Sequence, residues 1–136
     1  MEDAATIEAQ LGRPPRGAAR VVVRCPHGRP AVVEQDSYLA GGEPFPTTYY
    51  VTCRWLVAAI SRLEAAGGVE RWSAAAASDP ALAASLELGI GGSSRGGSLK
   101  CLHAHAAFGL ARPGYALGDA ILAELGPLWP DSCCTG

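Results

Sequence analysis

Val21-Val22-Val23-Arg24-Cys25-Pro26-His27-Gly28-Arg29-Pro30-Ala31-Val32-Val33 sets two β-branched runs on either side of a tight turn. Branching at Cβ suits valine to a pleated strand better than to a helix. Pro26 fixes one φ in the turn, and Gly28 supplies the freedom for a left-handed residue. The stretch predicts an antiparallel hairpin with strands over 18–24 and 31–34. Cys25 and His27 stand two residues apart at its tip, like half of a zinc knuckle. Sulfur or imidazole returns at Cys53, at Cys101 with His103 and His105, and at Cys133-Cys134. The expectation is that these distant elements meet around one metal at the turn.

With 136 residues, 49% of them hydrophobic, the chain has enough apolar surface for one compact domain spanning 1–136. The net charge of -2 and the lack of a basic run give nucleic-acid phosphates nothing to hold. The acidic opening Met1-Glu2-Asp3 is not the n-region of a secretory signal, and no uncharged apolar run has the ~18 residues of a membrane span. A cytoplasmic chain is expected, with no membrane or nucleic-acid partner and with an unknown protein or small molecule as its partner. Thiols stay reduced in that compartment, so the five cysteines read as metal ligands or reactive thiols rather than disulfides.

Outward from the hairpin, apolar spacing predicts helices over 3–11, 52–66, 69–77, 80–88, 99–111 and 119–128, with a short strand over 49–51. The fold class is therefore α+β, a mostly helical single domain with a small antiparallel hairpin. Thr52 is the expected cap of the second helix, which puts Cys53 in its first turn. There the unpaired amides and the helix dipole favour a thiolate. Ser98 is the expected cap of the fifth helix. Cys101 and His105 then share a face at i and i+4, with His103 pointing elsewhere. Gly89 to Gly97 is a flexible Gly/Ser loop without the spacing of a phosphate-binding loop. Residues 130–136 form a short tail. Arg13 and Arg16 frame Pro14-Pro15, a rigid segment suited to pairing with an anion.

Several blocks together resemble a known family: Gln10-Leu11-Gly12-Arg13-Pro14, the Cys25 to Pro30 turn, Pro44-Phe45-Pro46-Thr47 with Tyr49-Tyr50, and Thr52-Cys53. Lys100-Cys101-Leu102-His103 and the tryptophan-then-cysteine ending complete the pattern. The family is a mainly actinobacterial domain of unknown function, DUF501. Its members usually carry a second cysteine where this chain has His27, and a longer segment before Lys100. The resemblance implies that His27 keeps a ligand at that position, and it favours His103 over His105. It implies no activity.

Three functions compete. The first is a small metal-binding protein with a structural or regulatory zinc held by Cys and His. Such a shell would draw on Cys25, His27, Cys53, Cys101, His103, His105, Cys133 and Cys134. The second is an iron–sulfur protein using Cys25, Cys53, Cys101 and one tail cysteine. The third is a thiol-redox enzyme in which Cys133-Cys134 exchanges with Cys53 or Cys101. A hydrolase lacks its usual signatures here: no Gly-x-Ser-x-Gly, no His-Glu-x-x-His and no carboxylate pair.

Overall fold

Along the first strand, β1 (Ala19–Arg24), burial alternates with the two-residue period of a pleated strand. Val21 and Val23 turn inward, followed by Cys25, while Arg20, Val22 and Arg24 face solvent. The computed structural model describes residues 3–13, 19–35, 49–86, 99 and 101–129. The loop over 89–97 and the tail over 130–136 lie outside the described residues.

β2 (Pro30–Gln35) pairs antiparallel with β1, with Val21 opposite Val33 and Arg24 opposite Pro30. The pairing shifts register around Val23. A third strand, β3 (Tyr49–Val51), adds to the free edge of β2, so the expected hairpin is the first half of a three-stranded sheet in the order β1-β2-β3. Pro30 to Val33 are all buried. In a strand that requires cover on both faces, which is why this central strand reads as an unbroken apolar run.

Among the described residues six helices provide the cover: α1 (Asp3–Leu11), α2 (Arg54–Ala65), α3 (Gly68–Ser78), α4 (Pro80–Leu86), α5 (His103–Ala111) and α6 (Ala116–Leu125). Helix α1 is pinned at both ends. Asp3 makes an ion pair with Arg24 at 2.6 Å, and Gln10 Nε2 donates to the Pro30 carbonyl at 2.9 Å. Gly12, at φ 76°, ends the helix where a side chain would strain the backbone. Helices α5 and α6 cross closely because glycines meet at the crossing. A Cβ on Gly118 would lie 2.5 Å from the His105 carbonyl oxygen and 2.9 Å from Gly109 Cα. The core behind the sheet joins Leu56 and Ile60 of α2, Ala106 and Ala107 of α5, and Leu117 and Ile121 of α6. No helix among the described residues is long and apolar enough to cross a membrane.

Three helix starts differ from the sequence expectation in ways that bear on the candidate ligands and their neighbours. Cys53, not Thr52, stands at the cap position of α2, because the Thr52 amide is already paired with the Ala31 carbonyl at 2.9 Å beside the sheet. Helix α5 begins at His103, four residues later than its apolar spacing suggests. Helix α6 begins at Ala116, with Asp119 inside its first turn accepting from Gly114 N at 2.9 Å.

Candidate functional site

The hairpin turn closes through two backbone bonds. Cys25 N donates to the Arg29 carbonyl at 2.9 Å, and Gly28 N donates to the Cys25 carbonyl at 2.9 Å. Gly28 sits at φ 83°, the conformation its missing Cβ permits. On the other side of β2, Cys53 N donates to the Ala31 carbonyl at 3.4 Å. The segment Pro30–Ala31 thus runs between the two cysteines, and both thiols enter one apolar cluster, Cys25 4% and Cys53 0% exposed. Leu128 and Trp129 pack against the same cluster. His27 is exposed at the apex of the turn. Cys25, Cys53 and Cys101 are thiols rather than disulfides.

Cys101 sits on a different segment, just ahead of α5. It is half-buried and lines a cavity of about 320 Å³ with His103, Gln10, Leu11, Tyr50 and Thr52. Because α5 starts only at His103, the i and i+4 relation of Cys101 to His105 does not arise, and the cavity brings Cys101 together with His103. Two buried polar atoms on residues of this cavity, Gln10 Oε1 and Thr52 Oγ1, have no hydrogen-bond partner among the described residues. Unpaired buried acceptors of this kind are uncommon in folded chains.

His103 is held from both sides. Glu64 Oε2 lies 3.3 Å from its Nδ1, and the Ser61 hydroxyl lies 3.3 Å from its Nε2. Ser61 and Glu64 are three residues apart on α2 and therefore share a face. The same Glu64 oxygen accepts the Leu102 amide at 2.6 Å, which caps α5 from another helix. Nothing local in the sequence links Ser61 and Glu64 to His103, and sequence reading missed both. A helix C-terminal half ending Ser-x-x-Glu, followed by a buried cap elsewhere, was the only signal available.

His105 has a different environment. It is fully buried, its Nδ1 is 2.7 Å from the Tyr115 hydroxyl, and the two rings stack 6.0 Å apart. The Tyr115 hydroxyl also reaches the Ser85 carbonyl at 3.5 Å. With Nδ1–H donating to the tyrosine oxygen, the phenol can donate onward to Ser85, and Nε2 has no hydrogen-bond partner among the described residues. Burial pushes the imidazole down to about 4 and the phenol up to about 12. His105 is a neutral core residue.

Among the described residues no group of three or more His, Cys, Asp or Glu side chains is gathered so that it could hold a metal ion. Cys133, Cys134 and Arg16 lie outside those residues, and Arg13 is exposed just beyond α1.

A family model described as Protein of unknown function (DUF501) matches residues 21–88, from β1 past the end of α4. That span holds Cys25, His27, Cys53, Ser61 and Glu64. None of the curated proteins and none of the solved structures compared with the chain matches it.

Proposed function

The chain belongs to the protein family of unknown function DUF501, and from that premise we propose that it is a metal-binding protein with a structural or regulatory zinc. The ligands proposed are Cys25 and Cys53 with Cys133 of the tail, Cys134 serving as substitute; His27, exposed at the apex, joins only if the turn rearranges, because the described residues gather no three such side chains. One observation carries this reading. Two thiols from opposite sides of β2 are buried in the same cluster against which Trp129 packs. Four residues of extended chain span at most about 13 Å, so Cys133 has the reach to approach the cluster from Trp129.

The donor set fits the ion. Thiolate and imidazole are the ligands of structural zinc, and the shell is closed and tetrahedral. Cys25 and Cys53 lie buried among apolar side chains, and a bound cation would take the place of both thiol protons. The bound metal supplies cross-linking of the turn, the entry to α2 and the tail, and its binding energy adds to folding energy. His103 stays outside this shell, engaged by Glu64 and Ser61.

Truncation after Trp129 tests the reading. Loss of the tail is expected to lower zinc affinity and the melting temperature together, as is Cys25→Ala, and zinc addition rescues neither. A truncated chain with the zinc content and melting temperature of the whole chain would remove the tail from the shell.

A further inference from the structure

We infer that Ser61, His103 and Glu64 form a nucleophile, base and orienting group that carry the acyl group of a small ester to water. The carboxylate on Nδ1 accepts that ring N–H, which leaves Nε2 as the proton acceptor, 3.3 Å from the Ser61 hydroxyl. Capping of α5 explains why Glu64 meets Leu102. It does not explain a hydroxyl on the far nitrogen of the imidazole. Both separations of 3.3 Å are long for strong hydrogen bonds, as such contacts commonly are before substrate binds. Constellations of this type are recognised by geometry and roles, which recur without a common sequence motif.

The surroundings suit an acyl donor. Ser61 is exposed, so an ester reaches it from solvent. His103 and Glu64 are partly shielded, with 29% and 25% of their side chains exposed. The adjoining cavity of about 320 Å³ offers Leu11, Val51 and Val57 to a short apolar chain and lies at the lower end of the size of small-molecule sites. The first-turn amides of α5, which opens at His103, have no carbonyl partner within the helix and are the candidate N–H donors for a developing oxyanion.

The reaction balances without any co-reactant but water. Ser61 Oγ bonds to the carbonyl carbon as its proton passes to His103 Nε2. Collapse of the tetrahedral intermediate breaks the bond to the leaving oxygen, which takes that proton and departs as the alcohol. Water then attacks the acyl-serine, giving a proton to His103 Nε2, and the Ser61 oxygen leaves and recovers it. The products are the alcohol and the carboxylic acid. Glu64 remains a carboxylate throughout and stabilises the imidazolium that forms twice.

The test is labelling of the full chain with a fluorophosphonate probe, which phosphonylates activated serines with loss of fluoride, read by intact mass and peptide mapping. One adduct on Ser61 is expected. It is absent from Ser61→Ala, and labelling is slowed roughly a hundredfold in His103→Gln and Glu64→Gln, the scale of general-base assistance. Hydrolysis of p-nitrophenyl acetate should fall to the uncatalysed rate in Ser61→Ala. That variant changes an exposed side chain, so it decides the matter even if the other two prove unstable. An unlabelled wild-type chain, under conditions that label a known serine esterase, overturns the inference. So does labelling that persists in Ser61→Ala. Neither readout involves Cys25 or Cys53.

Discussion

His105 makes the stability of this fold depend on acid in a way that can be worked from its surroundings. The imidazole is fully buried and neutral, held at about 4 by desolvation against 6.5 in the unfolded chain. A depressed histidine contributes its full stability above 6.5, where both states are neutral. As pH falls below 6.5 the unfolded chain takes up a proton that the folded chain refuses. Stability is lost at about 1.4 kcal/mol per pH unit until about pH 4, where the folded state also protonates. The gap from 6.5 to about 4 is worth about 3 kcal/mol, a large share of the stability of a domain this size. Urea unfolding of the wild type and of His105→Gln from pH 7.5 to 4 measures the difference, in which the carboxylates common to both chains cancel. The wild type should lose about 3 kcal/mol more than the variant over that range. In the native wild-type chain, the NMR shifts of the His105 ring should stay those of a neutral imidazole to about pH 4. Equal pH slopes in the two chains, or a native His105 that titrates near 6.5, would refute the reasoning.

Other outcomes follow from the same structure. Gly118→Ala forces a Cβ to within 2.5 Å of the His105 carbonyl oxygen, and chemical denaturation should show a loss of about 1–3 kcal/mol from overpacking of the α5–α6 crossing. Removal of the Asp3–Arg24 pair by Arg24→Ala changes a solvent-screened contact, so the melting temperature should barely move and what effect there is should fade in high salt. Glu64→Ala strips the carboxylate that caps α5 at Leu102 N, and thermal unfolding should report about 1 kcal/mol, a shift of a few degrees.

Much of this architecture was legible because local signals and burial agreed. Asp3 to Leu11 carries apolar spacing and a terminating glycine, and α1 occupies that span. The valine run before Cys25 marked β1 and the apolar run after Pro30 marked β2, although as half of a hairpin rather than as the middle strand of a three-stranded sheet. The start of α5 was not legible. Ser98 was the expected cap, but the amide of Leu99 goes to Ser73 Oγ at 3.1 Å and that of Leu102 to Glu64 at 2.6 Å. Both partners come from helices distant in sequence, so tertiary contacts overrode the local cap. That shift redistributed the histidines: His105 went into the core against Tyr115, and His103 met Glu64 and Ser61. Thr52 shows the same conflict, since sheet pairing of its amide beside Ala31 moved the cap position to Cys53. The family resemblance read from the cysteine turn and its neighbours is borne out over residues 21–88.

The metal content of the full chain, purified anaerobically and analysed by mass spectrometry of its elements, tests the zinc reading most directly. A colourless protein with about one zinc per chain is expected, the metal being lost when Cys25 and Cys53 are both replaced by alanine. A folded wild-type chain without zinc, whose Cys25 and Cys53 react with a thiol reagent once it is unfolded, would contradict it, and a brown protein containing iron and sulfide would replace zinc with a cluster.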